Sequence, residues 1–143
     1  MSNAERLVTV LEPVMGDDEV EVDEGLIERM VAAAAPLTSD DTTIQMTGSD
    51  RFFQATYQGP NGMREAWRDW LEVFAKVRFR FEGVEEIGDN VITFARQFGT
   101  SRHGGVELEQ PSAAVWKFRG DRIARIEFHL DRDAARDSAR IPA

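Results

Sequence analysis

Before about residue 75 the apolar positions of this chain recur mostly at helical spacing, and after it they alternate. Leu7, Val10, Leu11 and Val14 fall at i, i+3, i+4 and i+7, one face of a helix that Pro13 and Gly16 bring to an end. An acidic loop, Asp17-Asp18-Glu19, separates it from a second helix that Asp23 can cap. The inner face of that helix is Leu26, Ile27, Met30, Val31 and Ala34, and Pro36 stops it. Residues 42–46 are β-branched and alternating, which predicts a short strand. A turn-rich segment with Gly48, Ser49 and Asp50 leads to Phe52-Phe53. Gly59-Pro60 then marks a helix start, because proline at a first helical position has no amide left to satisfy. Met63, Trp67, Trp70, Leu71 and Phe74 form one stripe of this helix, with Arg64, Glu65, Arg68, Asp69 and Glu72 on the other side.

From Lys76 onward the period is two. Val77, Phe79 and Phe81 alternate with Arg78, Arg80 and Glu82, the pattern of a half-buried strand. Turns at Gly88-Asp89-Asn90, at residues 101–105 and at residues 119–122 separate further strands over 91–98, 106–118 and 123–130. Pro111 cannot donate to a ladder and implies a bulge or bend within its strand. A short helix over 133–139 follows. Long strands joined by tight turns make an antiparallel meander, and strands grouped after helices give an α+β chain. The expected fold is a strongly curved antiparallel sheet with about three helices on its concave face, a half-barrel whose mouth forms an apolar pocket.

Composition narrows the function. At 143 residues the chain matches a single domain, expected over residues 5–137 with residues 1–4 and 138–143 as flexible termini. It contains no cysteine, which excludes disulfides, thiolate nucleophiles and cysteine-ligated metals and fits the reducing cytoplasm. Its two histidines lack the spacing of a metal site, and no cofactor motif is present. The formal charge of −9, with basic residues scattered among acids, argues against nucleic acid. No apolar run is long enough to span a membrane. The expected partner is a hydrophobic small molecule.

Four stretches carry a family resemblance: Tyr57-Gln58-Gly59-Pro60-Asn61-Gly62 leading into Trp67-Arg68-Asp69-Trp70-Leu71, Arg96-Gln97-Phe98-Gly99, Gly105-Val106-Glu107-Leu108-Glu109, and Arg122-Ile123 through Leu130-Asp131-Arg132. They resemble a SnoaL-like member of the nuclear transport factor 2 superfamily, the cone-shaped, cystatin-like fold shared with ketosteroid isomerase and scytalone dehydratase. The resemblance implies a homodimer and a pocket that works without a cofactor. Where its members are isomerases, cyclases or hydrolases, it implies general acid–base catalysis by a carboxylate or histidine at the base of the cone. Other members are non-catalytic binding or interaction modules, and fold alone does not choose between them.

In the last strand Arg125, Glu127, His129 and Asp131 share one parity, opposite Ala124, Ile126, Phe128 and Leu130. If the polar face lines the cone, His129 and Asp131 form an acid–base pair with Arg125 or Glu127 as orienting neighbours. Otherwise that face meets solvent or a second copy, and Asp131 caps the short terminal helix. Arg96, between Phe94 and Phe98, either orients a ligand carbonyl or carboxylate or is held by Glu107 or Glu109. Tyr57, the only tyrosine, is a candidate for the rim. Trp67, Trp70, Phe74, Phe79, Phe81, Phe94, Phe98 and Trp116 are the candidate apolar walls, with Trp70 and Trp116 as ligand contacts. Arg96, Glu109, His129 and Asp131 are the candidate polar floor. His103 is expected in an exposed turn. The aspartate that isomerase-like members carry on an early strand has no clear counterpart in Ile44-Gln45-Met46-Thr47, although Asp50 lies near.

Overall fold

The computed structural model describes residues 1–16, 19–46, 56–102 and 104–143. The expectations for Asp17 and Asp18, for the segment with Asp50 and Phe52-Phe53, and for His103 lie outside the described residues. Helix α1 (Asn3–Leu11) starts on Ser2, whose side chain accepts from the Glu5 amide, and helix α2 (Glu24–Ala34) starts on Asp23, which accepts from the Leu26 amide. Strand β1 (Val20–Glu21) lies between them, and β2 (Thr43–Met46) and β3 (Thr56–Gln58) follow. Helix α3 (Gly59–Val73) begins at Gly59, where φ is +72° and a Cβ would come within 3.2 Å of the Asp40 carbonyl oxygen. Only glycine fits both conditions. Phe74 ends α3 and opens the long strand β4 (Phe74–Ile87), followed by β5 (Asn90–Ser101), β6 (Glu107–Arg119), β7 (Arg122–His129) and helix α4 (Arg132–Ala139).

The sheet has seven strands in the order β1-β4-β5-β6-β7-β2-β3. The meander β4–β7 is antiparallel as the turns require, while β2 joins β7 in parallel, with Ile44 opposite Ile126. Register shifts between Phe74 and Lys76, between Phe81 and Gly83, and between Lys117 and Phe118 bend the strands. Of the bulge or bend expected at Pro111, the ladder to β5 shows no bulge. Pro111 lies in unbroken register opposite Arg96. The β7 ladder begins only at Ala113 opposite His129, so among the described residues strand β6 has a neighbour on one side alone at Pro111, and its missing amide can be tolerated.

Two apolar clusters occupy the two faces. The larger one, with Leu7, Ile27, Ile44, Trp67, Val77 and Ile126, packs α1, α2 and α3 onto the concave face. The smaller, Ile92, Phe94, Ala113, Val115, Ala135 and Ala139, fixes α4 to the convex face. Three helices on the concave face match expectation, and α4 is a fourth on the other side. Asn3 is buried and donates to the Asp89 and Gly120 carbonyls, and Asn90 donates to the carbonyls of Ala139 and Ile141.

Candidate functional site

Between the concave face and α1–α3 lies a cavity of about 140 Å³. Alternation along the strands decides what reaches it. In β5, Thr93, Ala95 and Gln97 line the cavity, and in β6 their cross-strand partners are Ala114, Ser112 and Gln110. Trp116, two residues beyond Ala114, and Phe128 of β7 share that face. The helices add Leu11, Leu26, Met30, Met63, Trp67 and Trp70, and β4 adds Phe79 and Phe81. Trp67 meets Phe79 and Phe128 edge-on, with ring centroids 5.4 and 5.3 Å apart. All three tryptophans of the chain line this space. Among the described lining residues none is Asp, Glu, Lys or Arg.

Trp70 and Trp116 both line the cavity. Trp116 donates its indole N–H to the Thr93 hydroxyl at 2.9 Å, a buried bond that fixes the ring. Phe94 and Phe98 are not walls. They share the parity of Arg96, opposite Thr93, Ala95 and Gln97, and Phe94 belongs to the cluster beneath α4. Arg136 and Arg132 lie over the Phe94 ring, at 5.0 and 5.3 Å, and Arg80 and Arg78 over Phe98, at 5.4 and 5.6 Å. Arg96 stands among them, 3.6 Å from Glu109 and 3.8 Å from Glu82. Arg96 and Glu109 thus meet as a pair on the convex face rather than as a cavity floor.

His129 and Asp131 are not brought together with the cavity's contents. His129 borders the cavity through the β7 wall, but its ring has the parity opposite Phe128. There its Nε2 donates to Glu127 Oε1 at 2.8 Å. Glu127 is buried, and Ser138 of α4 donates to the same oxygen at 2.6 Å. Its other oxygen takes Arg125 Nε at 2.7 Å, with Lys117 Nζ at 3.6 Å. Burial acting alone would raise this carboxyl. The bonds from His129, Ser138 and Arg125 and the Lys117 charge outweigh it and hold Glu127 well below the usual carboxylate range. Since the carboxylate only accepts, His129 Nε2 must carry the shared proton. Asp131 is exposed, and its Oδ1 accepts from the Asp133 and Ala134 amides as the N-cap of α4. Tyr57, half-buried on β3, donates to Asp69 of α3 instead of entering the cavity. Desolvation first, and the Asp69 carboxylate second, raise its phenol above the ordinary value.

The polar residues the cavity does hold are Thr93, Gln97 and Ser112. They were not singled out from the sequence. The signal was present in the meander: with Ile126 and Phe128 turned inward, strand pairing puts these three on the same face. No group of acidic residues and histidines able to hold a metal occurs among the described residues. No helix there is long and apolar enough to cross a membrane.

A curved sheet with an apolar cavity under three helices defines a cone-shaped pocket fold. Residues 20–126 match the family described as the SnoaL-like domain, and the chain belongs to that family. Among solved structures, a nuclear transport factor 2-like protein from Burkholderia thailandensis is similar at 19% identity, with a TM-score of 0.68 and 99% of each chain covered. TerC, co-crystallised with polyporic acid, is similar at 17% identity and a TM-score of 0.63, over 94% of this chain and 95% of that one. A hypothetical protein of ketosteroid isomerase-like fold from Catenulispora acidiphila, in complex with trimethylamine, is similar at 16% identity and a TM-score of 0.58, covering 96% and 94%. No curated protein sequence matches the chain. At these identities the structures define the fold.

Proposed function

We propose that the cone is a receptor for a hydrophobic small molecule, held without a cofactor. The observation that carries this reading is the apolar cavity itself. Close packing normally leaves few voids larger than a water, so about 140 Å³ bounded by three tryptophans is an exception that a ligand explains. An apolar cavity of similar size, roughly 150 Å³, stays dry and takes up one aromatic ring. Two of the structural neighbours were solved with small molecules, polyporic acid and trimethylamine, which supports the same use of the fold here. Proton transfer by His129 and Asp131 is not part of the proposal. The first holds Glu127 and the second caps α4, so both serve the convex face. The homodimer that the family resemblance implies is a further part of the proposal, and light scattering should then return twice the chain mass.

Tryptophan emission tests the receptor reading, because every tryptophan touches the cavity. Toluene should change the emission saturably, and Ala114→Phe, which pushes a ring into the space, should abolish the change while far-ultraviolet circular dichroism stays native. An emission that responds to toluene only linearly, or equally in both proteins, would remove the proposal.

A further inference from the structure

Gln97 points to the chemistry of the ligand. Its residue is only 2% exposed, it lines the cavity, and its side-chain amide has no hydrogen-bond partner among the described residues. Buried amides are normally satisfied, so one left open to a cavity marks a place where an occupant completes the bonding. The neighbouring polar groups are already partly committed. Ser112, across from Ala95, spends its proton on the Ala95 carbonyl at 3.3 Å and keeps acceptor capacity. Thr93 accepts from Trp116, which leaves its proton as a donor. Around them every described wall is apolar except the β7 position His129, whose ring is turned to Glu127. Among the described residues no lining carboxylate, guanidinium or ammonium is available to pair with an ion, and an unpaired ion strongly resists transfer into such a space.

We infer that the cone selects an uncharged ligand of about one ring, whose carbonyl, amide or hydroxyl bonds to the Gln97 amide. The inference rests on the receptor reading and adds the polarity and the anchoring residue.

Calorimetric titration with toluene, acetophenone and benzoate at neutral pH, on the wild type and on Gln97→Leu, tests it. One net hydrogen bond corresponds to roughly fivefold in affinity. The preference for acetophenone over toluene should therefore fall about fivefold in Gln97→Leu, with toluene bound no less tightly, and benzoate should give no saturable heat with either protein. An unchanged preference in the variant would show that cavity water alone satisfies Gln97 and would overturn the inference. Benzoate bound as tightly as acetophenone by the wild type would overturn it without recourse to any variant. If neither toluene nor acetophenone binds the wild type, the receptor reading itself fails, and the selectivity falls with it.

Discussion

The charge cluster under α4 offers the sharpest test of the packing, and Glu127→Gln is the perturbation. Glu127 and Lys117 side chains are each only 6% exposed, and the carboxylate serves four partners: His129, Ser138, Arg125 and Lys117. Glutamine keeps the shape and some of the bonds but removes the negative charge, leaving the Lys117 ammonium buried beside Arg125. Breaking a buried pair from one side costs about 3 kcal/mol or more, because the remaining charge stays desolvated. For a domain of this size that corresponds to a fall in Tm of roughly 10 °C. Urea unfolding at pH 7, followed by tryptophan emission, measures it. The pH dependence carries a second sign. A carboxyl held low in the folded state stabilises above its ordinary unfolded value of 4.5, and that stability is lost as pH falls toward the folded value. The difference between wild type and Glu127→Gln should accordingly be full at pH 7 and shrink below about pH 4.5. A loss under about 1 kcal/mol at pH 7, or one that grows with acid, would refute the claim that this cluster is a satisfied buried network.

Three further outcomes follow from single contacts. Asp131→Ala removes the cap of α4 and should cost about 1 kcal/mol in the same urea assay, with toluene binding unchanged. Gly62→Ala would place a Cβ 2.9 Å from Tyr57 Cβ and 3.1 Å from its carbonyl carbon. The clash, on the order of 1–3 kcal/mol, should exceed the helix preference gained, so calorimetry should show a lower Tm. Because Tyr57 is the only tyrosine, absorbance at alkaline pH reports it alone. Its ionisation should lie above the ordinary value of 10, and Asp69→Asn should bring it down.

Local chemistry made much of this fold legible. Asp23 before an apolar stripe, Gly59-Pro60 before another, and the turn residues between alternating strands all form the elements their chemistry favours. Asp131 was readable as a cap for the same reason. Long-range pairing was not legible. The two-residue β1 and the parallel union of β2 with β7 depend on partners about sixty and eighty residues away. The candidate site suffered from a related limit. A period of two says which residues share a face and not which face turns inward. Because α4 covers the convex side, β5 is apolar on both faces, and Phe94 and Phe98 looked as suited to the cavity as Thr93 and Ala95. On β7 the usual rule, polar side outward, would have placed Glu127 and His129 correctly.

The receptor claim is tested most directly by methyl NMR with ¹³C-labelled methionine. Four of the five methionines, Met15, Met30, Met46 and Met63, line the cavity, while Met1 is 75% exposed and serves as an internal reference. On titration with acetophenone, the four lining methyl signals are expected to shift together along one saturation curve while Met1 stays fixed. Four unmoved methyl signals, or a shift of Met1 as large as theirs, would contradict a ligand held in the cone.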